Sequence, residues 1–187
     1  MQEAPLMLKN KTARRIKDIP GFVFPGGVKV IINFTVDFDA MIFRKFLREP
    51  KLWCAQGEFG GRTGLWRLLD VFGEFDVRTT LFLPGQTGLL YPEVLRRAVR
   101  EGHEIANHMW DHHIPTTLEE EAVHMDRTDT LIKGLTGQYP AGTLSEHDLA
   151  ALRDHAYTYV SYTPQGEFPF YVYYENIGKW MLNLPIS

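Results

Sequence analysis

A chain of 187 residues that is 44% hydrophobic and 23% charged can bury one sizeable core and is too short for two full domains, so one domain is expected. Its formal net charge of -3, from 20 basic and 23 acidic side chains, leaves no positive surplus for phosphate backbones, and nucleic acid is excluded as an expected partner. The single cysteine, Cys54, excludes an internal disulfide and fits a reducing compartment, hence a cytoplasmic location. The opening MQEAPLMLKNKTARR holds no signal-peptide apolar core, and no window of the chain is long and apolar enough to span a bilayer.

In chain order, residues 1–27 are polar and then rich in Pro and Gly, which predicts an extended N-terminal arm ending in a turn. Val28–Phe34 (VKVIINF) reads as the first core strand, and residues 40–60, with no clean period, as a long loop at its carboxyl end. Leu65, Leu68, Leu69 and Phe72 recur at helical spacing before Gly73. Val77–Leu83 then reads as a strand broken by Pro84 and Gly85. Pro92 sits just inside a second helix, with Val94, Leu95, Ala98 and Val99 inward and Gly102 closing it. His103–Asn107 is a third strand, and Leu118–Leu135 a third helix with a Thr117 cap, acids in its first turn and Gly134 near its end. A fourth helix over Glu146–His155 and strands over Tyr157–Tyr162 and Trp180–Ile186 complete the pattern. This alternation predicts an α/β fold of parallel strands with right-handed crossovers, as an open sheet or a barrel, with its active site at the strand carboxyl ends.

Two groups of residues at that end can carry chemistry. Asp37 and Asp39 follow the first strand in FTVDFDA and, being alternate residues of an extended chain, face one way. Two carboxylates so close need a cation or a shared proton; the competing reading is a turn in which one Asp caps a backbone amide. The segment HEIANHMWDHH holds four of the seven histidines, and the four-residue spacing of His108 and His112 lets both imidazoles reach one ion. Two histidines with a carboxylate form a common hydrolytic metal set with open positions. His103 and His113 read as structural, and Asp111 either orients a ligand or is a solvated loop acid. His124, His147 and His155 fall on predicted helices and Cys54 has no partner for nucleophilic work, so none of them is given a role.

These residues, in this order, resemble the polysaccharide deacetylase (NodB-homology, carbohydrate esterase family 4) superfamily, whose first motif is a strand ending in paired aspartates and whose second is His followed four residues on by His. The likeness continues through RTGLWRLLDVFGEFDVRTTLFLPGQTGLLYPEVLRRAVREGHEIANHMWDHH, with its strand ending in Phe-x-x-Gly, its Tyr-Pro helix and its Gly-His-Glu-Ile. It covers most of residues 28–187 and implies a distorted (β/α) barrel as the catalytic domain. It further implies Asp37 as the base that activates water, Asp39, His108 and His112 as metal ligands, and zinc or another divalent ion as cofactor. The form VDFDA, in place of Thr-Phe-Asp-Asp-Gly, is nearer the branch of allantoinase-like and peptidoglycan-deacetylase-like proteins.

The resemblance therefore implies hydrolysis of a non-peptide carbon–nitrogen bond, with deacetylation of an amino sugar or glycan as the leading expectation. Ring opening of a small cyclic amide or ureide, or a non-catalytic binding member of the family, are the alternatives. Trp53 and Trp110 are candidate substrate-binding aromatics, since sugar faces stack on such rings. FPFYVYYENIGKW reads first as a buried strand, then as a substrate wall or a homo-oligomer contact. Two departures from the family stand out: Thr143 runs straight into Leu144-Ser145 where an arginine or aromatic motif is expected, and the chain stops after LNLPIS, before the expected general-acid histidine. The domain is thus expected to be incomplete at its C-terminal end.

Overall fold

In a computed structural model, residues 11–15, 26–28, 31–113, 115–144, 155–161, 169–174 and 178–185 are described. They fall into two compact units, Met1–Ile32 with Ala141–Ser187, and Asn33–Pro140. In chain order the elements are β1 (Lys11–Arg15), β2 (Thr35–Asp37), α1 (Ile42–Phe46), α2 (Lys51–Phe59), a π-turn over Gly60–Gly64, α3 (Leu65–Glu74), β3 (Thr80–Leu83) and α4 (Gly85–Leu90). There follow α5 (Pro92–Arg100), β4 (Glu104–Asn107), α6 (Leu118–Thr136), β5 (Gly142–Thr143), β6 (Tyr159–Val160), β7 (Phe170–Tyr174) and β8 (Lys179–Asn183). Among the described residues, no helix is long and apolar enough to cross a membrane.

In the 33–140 unit, β2, β3 and β4 pair in parallel, with Asp37 opposite Phe82 and Leu83 opposite Asn107. Their carboxyl ends therefore lie side by side. β3 is buried along its whole length, as expected of a parallel strand covered on both faces. Leu65 and Leu69 of α3, Val94, Leu95 and Ala98 of α5, and Ile132 of α6 pack with Leu81, Leu83 and Ile105 into one core. Leu68, expected on the same stripe as Leu65, is exposed.

The helix ends follow from local chemistry. Pro92 supplies a preset φ at the start of α5, and Gly102, at φ 83°, takes the left-handed turn into β4. Arg97 ties α5 to α3, donating to Asp70 at 2.7 Å and to the Trp66 carbonyl at 3.1 Å. The Thr117 hydroxyl caps α6 by accepting from the Glu120 N–H at 3.1 Å, while the Glu120 carboxylate accepts from the Thr116 N–H at 3.0 Å. α6 runs past Gly134 and stops at Gly137, whose φ of 83° ends it.

Several elements differ from expectation. β2 covers Thr35–Asp37; of the strand expected over Val28–Phe34, residues 31–34 carry no ladder, with Ile31 and Ile32 66% and 73% exposed, and residues 29–30 lie outside the described residues. Pairing begins only where β3 offers a partner, as the Phe34 carbonyl accepts from the Thr79 hydroxyl at 2.6 Å. β-branched composition without a neighbouring strand does not make one. The supposed loop at 40–60 holds α1 and α2. No α2 residue is buried, so the helix has no apolar stripe for periodicity to reveal. The second strand starts at Thr80, not Val77, and the Pro84-Gly85 break opens a short helix, α4.

In the other unit the strand order is β1-β7-β8-β6-β5. β5, β6 and β8 run parallel, while β7 is antiparallel to both β1 and β8. The N-terminal stretch expected as an arm thus contributes a strand, and the aromatic run FYVYY is an inner strand of this set. The last strand is Lys179–Asn183, shorter than Trp180–Ile186 at its far end. The expected strand at Tyr157–Tyr162 is Tyr159–Val160, with Tyr162 outside the described residues, as are residues 145–154 of the expected fourth helix.

His103 sits at the amino end of β4, buried, and its Nδ1 accepts the Thr79 N–H at 3.2 Å. Burial holds its pKa below the ordinary 6.5. The folded state resists a proton that the unfolded chain takes up below about pH 6.5, so stability is lost as pH falls through that value towards the lowered folded pKa. The denaturation midpoint is expected to fall between about pH 7.5 and 5.5, and to fall less in His103→Gln; equal pH slopes in the two proteins would contradict this role.

Candidate metal centre

Asp37 and Asp39 lie at the carboxyl end of β2, separated by Phe38, which is buried and rests on Tyr91 at 5.9 Å between ring centroids. With Phe38 turned into the core, the two carboxylates emerge on the other side. The Phe38 N–H donates to the Phe82 carbonyl at 2.9 Å, and the Thr87 hydroxyl donates to the Asp39 carbonyl at 3.0 Å. The chain leaving the core is thereby fixed.

The histidine loop is held from beneath by Asn107, the last residue of β4, which is fully buried. Its amide donates to Asp129 Oδ1 at 2.6 Å and to the Met125 carbonyl at 3.2 Å, and its Oδ1 accepts the Met109 N–H at 2.6 Å. Met109 adopts a left-handed φ of 63°, and its carbonyl accepts from the Thr128 hydroxyl and the Gly85 N–H, both at 2.9 Å. Gly85 has no alternative, because a Cβ there would stand 2.3 Å from Cε3 of Trp110. This loop places His108 and His112 beside Asp39.

His112 Nε2 lies 2.9 Å, and His108 Nε2 3.6 Å, from Asp39 Oδ1. One potential ligand atom from each residue lies within 4.8 Å of the others. The imidazoles of His108 and His112 meet edge to face, 4.8 Å apart at 89°. Asp39 Oδ1 and His112 Nε2 are both buried, and despite their 2.9 Å approach neither has a hydrogen-bond partner among the described residues. A buried carboxylate oxygen and imidazole nitrogen held this close are an arrangement that a cation bound to both satisfies. Donors around a tetrahedral ion at about 2.0–2.2 Å stand roughly 3–4 Å apart, so a divalent cation fits this set.

Asp37 faces the same cluster. Desolvation by the protein around its carboxyl raises its pKa most, and the Asp39 carboxylate adds to that, against the opposing pull of His108 and His112. A carboxylate of raised basicity beside a cation site is suited to taking a proton.

The remaining candidates are placed as follows. The two oxygens of Asp111 accept from the Gln86 amide at 2.9 Å and the His113 N–H at 3.0 Å, which braces the loop. Trp110 packs on Gly85 with the Arg127 guanidinium 3.8 Å over its ring. Trp53 lies on the exposed side of α2, 5.4 Å from the Arg44 guanidinium. His113 pairs with Glu120 at 3.4 Å, His155 stacks on Tyr157, Cys54 Sγ lies 3.8 Å from the Glu49 carbonyl, and His147 lies outside the described residues. Sequence reasoning missed Asn107, Asp129 and Thr128. The available signal was polar: Thr128 and Asp129 sit on the α6 stripe of Met125 and Ile132, where an acid is out of place unless it is paired.

The profile of polysaccharide deacetylases matches residues 56–160, more than half of the chain. The chain belongs to the polysaccharide deacetylase family. The matched stretch carries His108 and His112 and begins after Asp37 and Asp39. A peptidoglycan deacetylase from Helicobacter pylori is 35% identical over 91 residues, which is 47% of this chain and 31% of that protein. A peptidoglycan deacetylase-like protein from Gibberella zeae is 31% identical over 123 residues, 62% of this chain and 36% of that one. The chain spans about a third of the length of these relatives. Among solved structures, a protein assigned as a polysaccharide deacetylase from Mycobacterium smegmatis superposes with TM-score 0.72 at 26% identity, covering 83% of this chain and 58% of that one. The Puue allantoinase superposes with TM-score 0.74 at 21% identity, covering 83% and 61%, a likeness of fold. The fold is accordingly α/β of the NodB-homology type.

Asn107→Ala removes three hydrogen bonds from a buried site and is expected to cost roughly 3 kcal/mol, at about 1 kcal/mol for each bond. Denaturant titration checks this; a loss below about 0.5 kcal/mol would show that the loop does not depend on the amide.

Proposed function

We propose that this family member is a metal-dependent hydrolase of carbon–nitrogen bonds that removes the N-acetyl group of an amino sugar or glycan. The observation that carries the reading is the facing of Asp39 Oδ1 and His112 Nε2, buried and unpartnered at 2.9 Å, with His108 alongside. Asp39, His108 and His112 would hold a divalent cation, and their one oxygen and two nitrogen donors suit zinc. Such a cation supplies Lewis acidity, which lowers the pKa of water and polarises an acyl oxygen. Asp37 then serves as the base that takes the proton of the attacking water, and the desolvation that raises its basicity favours that role. The glycan substrate class is supported by relatives named as peptidoglycan and chitin deacetylases.

Elemental analysis of the purified protein, beside Asp39→Ala and His108→Ala, tests the reading together with acetate and ammonia release from N-acetylglucosamine oligomers and cyclic ureides. Near-stoichiometric metal in the wild type, lost from both variants, with acetate released, is the expected result. Asp37→Asn should keep the metal and lose at least about 100-fold in turnover, the usual scale for a general base. Ammonia in place of acetate would move the substrate to small ureides, metal without either product would make the chain a binding module, and a wild type without metal would remove the site.

A further inference from the structure

Asp39 and His112 are joined by more than their facing atoms. α1 starts three residues after Asp39 and lays two phenylalanine rings against the His112 imidazole. The Phe43 and His112 rings meet edge to face, with centroids 4.9 Å apart and planes at 65°, and Phe46 lies at 6.1 Å and 39°. Both phenylalanines are 42% exposed, so burial in the core does not account for where they stand. The turn that brings them there is unusual: Ala40, directly after Asp39, takes a left-handed φ of 48°, a conformation that L-residues adopt rarely. It is backed by α2, where a Cβ on Gly57 would stand 2.8 Å from Met41 Cα and 2.9 Å from the Ala40 carbonyl oxygen. Backbone strain and a close helix approach thus converge on the placement of α1 over one imidazole.

We infer that Phe43 is a positioning residue for His112, the edge-to-face contact of the two rings setting the plane in which the imidazole presents Nε2 to the cation. The inference rests on the metal-site reading above. Segment 37–46 then does two things at once: Asp39 supplies a ligand, and Phe43, four residues on, orients a second ligand that arrives from β4. Neighbours that hold a ligand ring matter because a free imidazole must give up rotational freedom on binding, which weakens the site. Phe46, farther from the ring, has the smaller share. The left-handed turn at Ala40 and the close approach of α2 at Gly57 both lie at the start of this segment.

Cobalt(II) titration of the whole chain tests this, because the visible bands of the bound ion report its coordination geometry independently of turnover. Wild type, Phe43→Ala, Phe43→Leu and Phe43→Tyr are compared, with thermal unfolding as a check on folding. Phe43→Ala is expected to weaken cobalt binding at least about tenfold, the scale for loss of a group that supports a ligand, and to change the band intensities. Phe43→Tyr should keep both affinity and spectrum, and Phe43→Leu, which restores bulk without a ring edge, should behave as Phe43→Ala does. Wild-type affinity and spectrum in a folded Phe43→Ala would overturn the inference, as would full rescue by leucine. If Phe43→Ala does not fold, the contrast of leucine with tyrosine decides. A wild type that binds no cobalt would overturn the metal reading itself and the inference with it, whereas a bound wild type indistinguishable from its variants would overturn the inference alone.

Discussion

The 33–140 unit is organised around a single difficulty: polar atoms buried at the ends of parallel strands must find partners. At β4 the partner is internal. Asn107 meets Asp129, the Met125 carbonyl and the Met109 N–H, and this ties strand, loop and α6 into one piece. A buried amide satisfied on every side fixes geometry more firmly than apolar packing does, because each bond has a direction. At β2 and the loop after β4 the partner is missing, since Asp39 Oδ1 and His112 Nε2 face one another with nothing bonded to either among the described residues. The first network holds the second arrangement in place, so that donors which would otherwise move apart are kept where a cation can use them.

The rest of the unit follows from bringing those two strand ends together. β3 lies between β2 and β4 and shares a register with each, so its break at Pro84-Gly85 falls at the same level as the paired aspartates and the histidine loop. Gly85 can then press its backbone against Met109 and Trp110, which a side chain would prevent. Ala40 and Met109 each follow a proposed ligand directly, and both take left-handed φ values, 48° and 63°. Two of the four non-glycine residues at positive φ among the described residues thus adjoin proposed ligands, as in a site held in shape by its surroundings. Family membership agrees with this construction.

Much of this was legible in the sequence. The spacing Asp37-x-Asp39 after an apolar run, and His108-x-x-x-His112 after a second, identified the residues that the structure brings together, because strand ends and ligand spacing are local facts. α5 and α6 were legible as well, α5 from Pro92 and its apolar stripe, α6 from the Thr117 cap and the acids of its first turn. The start of the first strand was not, since VKVIINF has the composition of a strand but its pairing depends on where β3 lies. α1 and α2 were hidden for the opposite reason: helices that bury almost nothing leave no periodic trace. Asn107 and Asp129 were overlooked because each is unremarkable alone and they meet only across 22 residues.

The central claim is that Asp39, His108 and His112 form the coordination shell of one divalent ion. X-ray absorption at the zinc edge of the zinc-loaded protein tests it most directly. The account predicts a shell of oxygen and nitrogen donors at about 2.0–2.2 Å containing two imidazoles, with outer-shell scattering from both rings. One imidazole or none, or a sulfur donor at about 2.3 Å, would contradict it.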